Sequence, residues 1–470
     1  MTSVRPSLVT VLAVVALTGA AIAAPVSAQA VPQTLTVATN GNDHAAGTIA
    51  APLRTVQEAV SRLKAGGTVD IRGGRYSQKI DLAGATRITI EAYRGEHVIL
   101  DGSQLKPASG RSAMVEISGA SYVTLSGLEI TGYRSTKLAA MPIGIYVHGA
   151  DDHIAIIGNH VHDLGNDNQT LGSFDINAHG IAVYGDNALR SITALAISNN
   201  VVDHLSLGAS ESVVVNGNVD GWAITGNDIH DNNNIGIDAI GYEPTLSGAN
   251  RYTDLNRARN GVISGNRVSL IRSEGNPAYW EDGVWCNCAD GIYVDGGTRI
   301  AIHDNVVTGN DIGIEVAAEN ARGSADHVDV RSNTITGSLY VGLTTGGYCD
   351  GGDDCGGVKT GTSHDNSFTG NTLRDNNNLN DGSPEILIQY YAYNDVFDHN
   401  TVTATNDDGA ILGTVARAAT DKKSGHNASD HNTFATRGTM SVSFGWLGTT
   451  YSSFAAYQKA TGQDLHSTLR

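Results

Sequence analysis

Two short phrases of alternating apolar and polar residues recur along the chain. The first is an apolar pair, then Gly, Ser or Asp followed by Asn, then a further apolar alternation, as in "LAISNNVVDH" (195–204). The second is a brief strand pattern such as "IGIDAIG" (235–241). Alternation with a period of two predicts β-strands, and the recurrence of whole phrases predicts a repeat protein.

The second phrase sets the length of the repeat. Its anchor residues, which we expect to face inward, are Ile145, Ile181, Val213, Ile237, Ile292, Ile314, Leu343 and Ile386. The shortest intervals between anchors are 22 residues, from Ile292 to Ile314, and 24 residues, from Val213 to Ile237. Short strands that return at such a period are typical of a solenoid, in which each turn packs on the next.

One asparagine falls at the same point of each first phrase. The clearest members of this series are Asn159, Asn200, Asn227, Asn266, Asn305 and Asn333. Asparagine tolerates the left-handed backbone of tight turns, and stacked amide side chains can hydrogen-bond to one another along a solenoid axis. We therefore predict a structural role for this series.

The N-terminal part of the chain resembles a known family. The stretch "TLTVATNGNDHAAGTIAAPLRTVQEAVSRLKAGGTVDIRGGRYSQKIDL" (34–82) is similar to the opening of proteins of the pectate-lyase-like superfamily, in the branch of chondroitinase-B-like proteins and polysaccharide lyase families 6 and 9. The resemblance implies an all-β fold, a right-handed parallel β-helix, with a capping helix at 55–63 and a C-terminal cap at 451–470. The apolar spacing of Val56, Ala59, Val60 and Leu63 independently fits an amphipathic helix.

Alignment of the second phrases predicts which side chains leave the solenoid wall. The residues directly after the anchors are Tyr146, Ala182, Val214, Asp238, Tyr293, Glu315, Thr344 and Leu387. Those two positions further on are His148, Tyr184, Asn216, Ile240, Asp295, Ala317, Gly346 and Gln389. Three acids, Asp238, Asp295 and Glu315, thus share one outer wall.

The expected spacing of these acids suits glycosidic chemistry. Stacked strands lie ~4.8 Å apart, so Asp238–Asp295 and Asp295–Glu315 are each roughly 8 Å apart and Asp238–Glu315 about 10 Å. A separation of ~6.5–9.5 Å suits an acid and a base on opposite sides of a glycosidic bond. Mutual repulsion raises the pKa of one carboxyl, which the acid needs. We predict Asp238, Asp295 and Glu315 to be catalytic, against the simpler interpretation of a solvated strand face.

Two long intervals between anchors, from Ile237 to Ile292 and from Leu343 to Ile386, predict loops beside these acids. We place insertions near 242–289 and 347–383. The predicted substrate-binding residues from the wall and the first insertion are Tyr293, Tyr184, His148, Tyr146, Trp280, Trp285 and Gln389. In the second insertion Asp350, Asp353 and Asp354 are weak candidates for a Ca²⁺ site, although their spacing does not match an EF-hand.

Four cysteines lie in the same two insertions: Cys286, Cys288, Cys349 and Cys355. An even number in an exported chain favours disulfides. Cys286 and Cys288 are close neighbours, so we expect each to pair with Cys349 or Cys355 and to tie the loops together. The alternative of a four-thiolate zinc site does not match the usual ligand spacing.

The N-terminal segment and the net charge limit where the protein is located and what it can bind. Residues 1–30 combine Arg5, an apolar stretch and the small-residue site Ala28-Gln29-Ala30, which predicts a cleaved signal peptide and a secreted protein. Residues 31–470 are then expected to form a single β-helix domain. The 470-residue chain has a net charge of −18, which argues against nucleic acid, and no later segment is apolar enough for a membrane span.

Three functions remain open from the sequence. We favour a secreted enzyme that hydrolyses a polysaccharide or oligosaccharide. The resemblance implies a polysaccharide lyase or uronan epimerase instead, but such enzymes need a base and a cation. The wall between 140 and 350 carries no Lys, with Lys137 and Lys359 outside it, so Tyr293 or His148 would have to serve as base, with Ca²⁺ as cofactor. The third possibility is a non-catalytic carbohydrate-binding β-helix.

Overall fold

The computed structural model describes residues 33–63, 66–352, 357–416, 425–437 and 441–470. Each turn of the chain contributes one strand to each of three long sheets, and consecutive turns pair in parallel within every sheet. The predicted parallel β-helix is therefore confirmed. The predicted signal peptide, residues 1–30, lies outside the described residues, and the chain from Gln33 to Arg470 forms one compact unit.

We number the sheets by their order within a turn. The strands of sheet 1 are Gln33–Val37, Gly67–Ile71, Thr86–Ala92, Ser121–Ser126, Asp152–Ile157, Ile192–Ser198, Val219–Thr225, Ala258–Ser264, Thr298–His303, Ser324–Arg331, Ser367–Thr369, Val396–Asp398 and Ala428–Asp430, with Thr362–His364 and Ala392–Tyr393 beside this row. The strands of sheet 2 are Gly74–Tyr76, Val98–Asp101, Leu128–Thr131, His160–His162, Val201–Asp203, Asp228–His230, Arg267–Ser269, Val306–Thr308, Thr334–Thr336, Thr372–Arg374, Thr401–Ala404, Thr433–Thr436 and Thr468–Leu469.

Sheet 3 contains the second sequence phrase. Its strands are Ile80–Asp81, Gly110–Ser118, Ala140–His148, His179–Gly185, Val213–Gly217, Ile237–Ile240, Asp290–Asp295, Ile312–Ala317, Val341–Thr345, Ile386–Ile388, Ala410–Thr414, Ser443–Trp446 and Thr449–Tyr451. Two small sheets lie in the loops, the parallel pair Arg134–Ser135 with Gly165–Asn166 and the hairpin Trp280–Glu281 with Val284–Trp285.

The corner between sheets 1 and 2 is formed by the asparagine series. Asn266 is typical: its side-chain carbonyl accepts from the backbone N–H and the side-chain amide of Asn227, each at 2.9 Å. Its own amide donates to Asn305 Oδ1 at 3.0 Å and to the carbonyl of Ile224 at 2.9 Å. The same pattern continues from Asn159 as far as Asn432. The predicted structural role is confirmed.

The corner that leads into sheet 3 is formed by glycine. A Cβ on Gly291 would lie 2.8 Å from both the carbonyl oxygen of Gly313 and the side chain of Val307, so this position already faces the core. The anchor that follows, Ile292, also faces the core. Two consecutive inward positions break the alternation, so the residue before the glycine points outward. Ile235, which strict alternation with the anchor Ile237 would place inside, accordingly packs on the outer wall with Tyr293 and Ala317.

The inside of the solenoid is an apolar column. All eight predicted anchors belong to the main hydrophobic core, and Ile237, Ile292 and Ile314 have no exposed surface. Burial of one such aliphatic side chain contributes about 1.5–3 kcal/mol, so the stacked turns stabilise one another chiefly through this column.

Two helices flank the sheets. The first, Val56–Arg62, begins after Thr55, whose hydroxyl accepts from the N–H of Glu58, and it buries Val56 and Ala59 against the first strands. The second, Phe454–Thr461, places Tyr457 in the core. Short 3₁₀ turns occur at Tyr93–Gly95, Gly248–Asn250, Asp254–Asn256 and Pro277–Tyr279. Among the described residues no helix is long and apolar enough to span a membrane.

The predicted insertions are not single loops. The interval 242–289 contains strands Ala258–Ser264 and Arg267–Ser269, and the interval 347–383 contains Ser367–Thr369 and Thr372–Arg374. Every turn must supply strands to sheets 1 and 2 before the chain returns to sheet 3, so part of each long interval is regular structure. The irregular segments are shorter and lie before and after those strands.

The predicted disulfide pairing is wrong for Cys286 and Cys288. These two residues bond to each other, with their Cα atoms 5.3 Å apart, so they close a small loop and do not join two insertions. Cys349 is also disulfide-bonded. Cys355, Asp353 and Asp354 lie outside the described residues.

Candidate active site

The three predicted acids lie on one wall. In sheet 3, Ile237 pairs with Ile292 and Ile292 with Ile314, so their strands are successive. The same register places Asp238 beside Tyr293 and Tyr293 beside Glu315. Asp238 and Glu315 are thus two strand spacings apart, roughly 10 Å along the backbone, as expected. Asp295 is two positions after Tyr293 and faces the same side.

The wall is covered by loops. Asp238 is 2% exposed, and Asp295 and Glu315 are each 6% exposed, so the outer wall is closed to solvent here and the simpler interpretation of a solvated strand face is wrong. Two tyrosines from the loops lie near the acids. The charges of Glu211 and Asp290 act on Tyr279, and those of Asp295 and Glu315 act on Tyr348. Because the loops have no repeat, the sequence pattern did not predict how closely they pack on the wall.

A fourth carboxyl, Asp290, was not predicted. It lies directly before Gly291, where strict alternation placed it inside, but the glycine corner directs it outward. Its side chain is in hydrogen-bonding contact with Glu315. It is 3% exposed, and its Oδ1 atom has no hydrogen-bond partner. A carboxyl pair in such contact shares a proton, since two carboxylates at this distance repel each other.

Three more acids complete the site. We call the whole group the acidic cluster; its members are Glu211, Asp238, Glu243, Asp290, Asp295, Glu315 and Glu319. Glu211 is buried, whereas Glu243 and Glu319 reach solvent. The acidic cluster therefore extends from the buried floor of sheet 3 to an open edge at Glu243 and Glu319.

Burial and mutual repulsion raise the pKa values of Asp238, Asp290, Asp295 and Glu315. Burial raises the pKa of Glu315 to about 8, and the charge of Glu319 adds to the effect. The pKa values of Asp238, Asp290 and Asp295 are raised well above the ordinary range, first by burial and then by neighbouring acids. Among the described residues, every charge that acts strongly on these four groups is negative. Several cluster carboxyls are consequently protonated at neutral pH.

Hydrogen bonds distinguish the members of the cluster. Asp295 Oδ1 accepts from the backbone N–H of Glu319 at 2.7 Å, which favours the charged form of Asp295. Asp238 Oδ1 is buried without any hydrogen-bond partner. Glu315 therefore shares a proton with Asp290, whereas Asp295 has a hydrogen bond that favours its anion but a pKa that burial and the charge of Glu319 raise on balance.

The predicted aromatic ligands on the wall are part of its packing. Tyr146, Tyr184 and Tyr293 are nearly fully buried. Tyr184 donates to His179 Nε2 at 3.3 Å and lies under the Arg111 guanidinium at 4.3 Å. These rings offer no free face to a sugar, because loops and neighbouring side chains cover them.

The remaining predicted ligands lie farther out. His148 belongs to the strand three spacings before that of Asp238, roughly 14 Å away, and its Nε2 is 3.0 Å from Glu116. Trp280 and Trp285 pair in the small hairpin with ring centroids 4.5 Å apart and remain partly exposed. Gln389 has a buried, unpartnered Oε1. Only the tryptophans offer the open aromatic surface expected of a sugar platform.

The acidic cluster does not meet the geometry of a metal site. The described groups of three or more His, Cys, Asp or Glu ligand atoms within 4.8 Å of one another contain neither cluster residues nor Asp350. Asp350 Oδ1 instead accepts from the backbone N–H of Gly352 at 2.7 Å. Calcium takes 6–8 oxygen ligands at short range, and because Asp353 and Asp354 lie outside the described residues the Ca²⁺ site stays a prediction.

Fold and site together define a parallel β-helix with a buried carboxyl cluster on one outer wall. Residues 35–276 match the family model "Pel9A-like, right handed beta helix region", and the chain belongs to this family. It is 34% identical over 437 residues to the "Uncharacterized protein YwoF" of Bacillus subtilis, covering 92% of this chain and 86% of that one. It is 31% identical over 125 residues to the pectate lyase PEL9 of Emericella nidulans, covering 25% and 30%.

Solved structures show a similar fold at low identity. The A-module of the mannuronan C-5 epimerase AlgE4 of Azotobacter vinelandii superposes with a TM-score of 0.47 at 15% identity, covering 88% of this chain and 94% of that one. The family model ends at residue 276. It therefore includes Asp238 but not Asp290, Asp295 or Glu315.

Proposed function

We propose that this protein is a secreted enzyme that hydrolyses glycosidic bonds of a polysaccharide or oligosaccharide at the acidic cluster. One observation carries the proposal: Glu315 contacts Asp290 in a buried group of acids without a strong cationic neighbour, and its pKa is raised to about 8. A carboxylic acid that keeps its proton at neutral pH is the group that must protonate a glycosidic oxygen. The tryptophans of the nearby hairpin supply a surface for sugar rings.

Glu315 and Asp295 fit the two roles of such a reaction. Glu315 is the proton donor to the leaving oxygen. Asp295, whose Oδ1 accepts the Glu319 N–H, is the base that takes a proton from the attacking water, and it must first lose its own proton because burial raises its pKa. Their strands are adjacent and their positions differ by two residues, which separates them by roughly 8 Å along the backbone. This separation suits an inverting hydrolysis, in which water enters between the base and the sugar.

Asp290 and Asp238 support these two groups. The contact between Asp290 and Glu315 raises the pKa of Asp290 and lowers that of Glu315, so Asp290 acts through Glu315 as a positioning residue. Asp238 lies on the far side of Tyr293 from Glu315, where burial and the neighbouring acids raise its pKa and keep its carboxyl neutral beside the proposed reacting groups. The exposed edge at Glu243 and Glu319 is the side from which water and substrate reach the wall.

The second candidate is a polysaccharide lyase or uronan epimerase, favoured by the family relationship to a pectate lyase. Such enzymes remove a proton beside a uronate carboxylate and must neutralise that carboxylate. Here the acids repel a uronate unless a cation such as the predicted Ca²⁺ intervenes. Tyr293 is a poor base, because burial and the charges of Glu319 and Asp295 raise its pKa well above the usual range.

The decisive experiment is a product analysis. The secreted chain is incubated with neutral and acidic polysaccharides in heavy-oxygen water, and the products are examined by mass spectrometry and ultraviolet absorbance. Hydrolysis places heavy oxygen at the new reducing end and produces no ultraviolet absorbance. A product with an unsaturated, absorbing end identifies a lyase and overturns the proposal, and an inverted uronate without cleavage identifies an epimerase.

Matched variants test the residue roles. Glu315→Gln and Asp295→Asn keep the shapes of the side chains and remove the acid and the base. Asp329→Asn removes a half-exposed carboxylate of sheet 1, paired with Arg331, and serves as the control. If all three variants cleave like the parent, the acidic cluster is not the active site. If all bind polysaccharide but none of the proteins, parent included, cleaves it, the protein is a binding module.

A further inference from the structure

A second group of titratable side chains lies on the outer face of sheet 2, which the proposed reaction does not use. His162, Asp203 and His230 occupy the same position of three successive strands, and His160 lies beside Glu129 of the preceding strand. We call Glu129, His160, His162, Asp203 and His230 the histidine–carboxylate cluster. It unites four turns of the solenoid that are remote in sequence.

The ligand atoms of this cluster converge. Asp203 Oδ2 is 2.8 Å from His160 Nε2 and 3.7 Å from His230 Nε2. His162 Nε2 lies 3.4 Å from Glu129 Oε1. One ligand atom each from His160, His162 and Asp203 lies within 4.8 Å of the others. Ligands of a tetrahedral ion with bonds of 2.0–2.1 Å are separated by roughly 3.3 Å, so small side-chain movements suffice to bring these atoms around one ion.

The other ring nitrogens are already fixed by carboxylates. His162 Nδ1 is 2.7 Å from Asp163 Oδ2, and His230 Nδ1 is 2.7 Å from Asp231 Oδ2. A hydrogen donated from Nδ1 leaves the lone pair on Nε2, which is the arrangement of metal-bound histidines. His162 Nε2 is buried and has no hydrogen-bond partner. Glu129 Oε1 lies 3.4 Å from this atom without a well-formed hydrogen bond, so Nε2 remains available to a metal ion.

We propose that His160, His162 and Asp203 bind a divalent transition-metal ion of the Zn²⁺ type, with His230 as the fourth ligand. Two or three imidazoles and one carboxylate are a donor set that zinc accepts and that calcium and magnesium do not prefer. The ion joins strands His160–His162, Val201–Asp203 and Asp228–His230 across three turns, so it braces the solenoid. Asp163 and Asp231 are positioning residues, which hold the imidazoles in the required tautomer.

A matched site in the same protein provides the control. Near the C-terminus, Asp398, His399, Asp430, His431 and His466 also form groups with suitable spacing. There the rings stack at 5.0 and 5.1 Å, as those of His160 and His162 do at 4.0 Å, but His399 and His466 are largely exposed. The carboxylates already hold the Nδ1 atoms, and none of the Nε2 atoms is directed at an Asp side chain. We expect this group to bind metal more weakly.

The test is a metal titration of the untagged full chain after treatment with a chelator. Calorimetry with Zn²⁺ is expected to show one tight equivalent, and Co²⁺ in its place is expected to give the visible absorption of a tetrahedral ion. His162→Gln should abolish both signals. Asp163→Asn should weaken binding by about 10–100-fold without changing the stoichiometry, as expected for a residue that acts through His162. His431→Gln should leave the tight equivalent intact.

The outcomes decide the proposal. Thermal unfolding in the chelator verifies that each variant folds like the parent, and added Zn²⁺ should raise the transition temperature of the parent but not of His162→Gln. Undiminished tight binding by His162→Gln, its loss in His431→Gln, or the absence of tight binding in the parent would each overturn the assignment.

Discussion

The asparagine series and the acidic cluster are two stacks of polar side chains built by the same repeat. In the asparagine series each amide donates to one neighbour and accepts from the other, so every turn adds satisfied hydrogen bonds. In the acidic cluster ionised side chains can only accept, so stacking leaves unpartnered oxygens on Asp238 and Asp290 even where Asp290 and Glu315 share a proton. Each turn of a solenoid repeats the interaction of the turn before it. Stacked self-complementary groups therefore stabilise the fold, and stacked like-charged groups destabilise it unless they take up protons.

This difference in hydrogen bonding suggests a structural role for the asparagine series and a functional role for the acidic cluster. A buried row of repelling carboxyls lowers the stability of the fold, and a chain without another use for it gains by replacing it with apolar residues. The asparagine series needs no such explanation, because it pairs backbone groups that would otherwise remain unsatisfied. We therefore expect substitutions in the two stacks to act in opposite directions on stability.

The largest effect is expected from Glu315→Gln. The amide keeps the contact with Asp290 but cannot protonate the leaving oxygen, so kcat/KM should fall by about 10²–10⁴-fold, the usual contribution of a general acid. The variant should melt at or above the temperature of the parent. Full activity in this variant would remove Glu315 from the mechanism. Asp329→Asn, measured in parallel, should retain activity.

The second-largest effect is expected on the free energy of unfolding of Asn266→Asp, which puts a carboxylate into the asparagine series. The new oxygen would face Asn305 Oδ1 and the Ile224 carbonyl, both of which now accept from the Asn266 amide. Loss of two buried hydrogen bonds and burial of a charge should lower the free energy of unfolding by about 3 kcal/mol at neutral pH. Urea unfolding of the variant and parent measures this, and an unchanged midpoint would contradict it.

The free energy of unfolding should also depend on pH in a direction set by the acidic cluster. The pKa of Glu315 rises from an ordinary 4.5 to about 8 on folding, so between these values the folded state binds the extra proton. Its stabilising contribution is complete below about pH 4.5 and is lost as pH rises through about 8. We expect the free energy of unfolding to decrease by about 2 kcal/mol between pH 5 and 8. This is less than a full shift of Glu315 alone would give, because Glu315 shares its proton with Asp290.

Glu315→Gln is the variant that tests this origin. Urea unfolding at several pH values should show a smaller decrease for Glu315→Gln than for the parent. Activity of the parent should fall above about pH 8 as the proton donor ionises. An equal pH slope in the two proteins would mean that other groups cause the pH dependence.

The repeat made much of this architecture predictable from sequence. The anchors, the asparagine series and the register that aligns Asp238 with Glu315 all follow from phrases that return once per turn. Asp290 and Glu211 were missed because the corner into sheet 3 directs two successive residues inward, and that geometry depends on contacts with side chains of sheet 2. The loops that cover the wall, and the Cys286–Cys288 bond within one of them, do not repeat along the chain. The sequence has no periodic pattern there from which they could be predicted.

The smallest effect, and the reverse of the asparagine substitution, is expected for Asp238→Asn. Asp238 is 2% exposed and lies among acids, so a neutral amide of the same shape removes repulsion and the need for a proton. We expect the free energy of unfolding to increase by about 1 kcal/mol at pH 7, while kcat/KM changes little, because Asp238 is protonated at that pH and the amide is also neutral. Urea unfolding and product assays on one preparation measure both. Asp329→Asn should change neither, since an exposed ion pair contributes little. A loss of stability in Asp238→Asn would show that the cluster is held together by hydrogen bonds to its carboxyls, as the asparagine series is by its amides, and the contrast between the two stacks would then disappear.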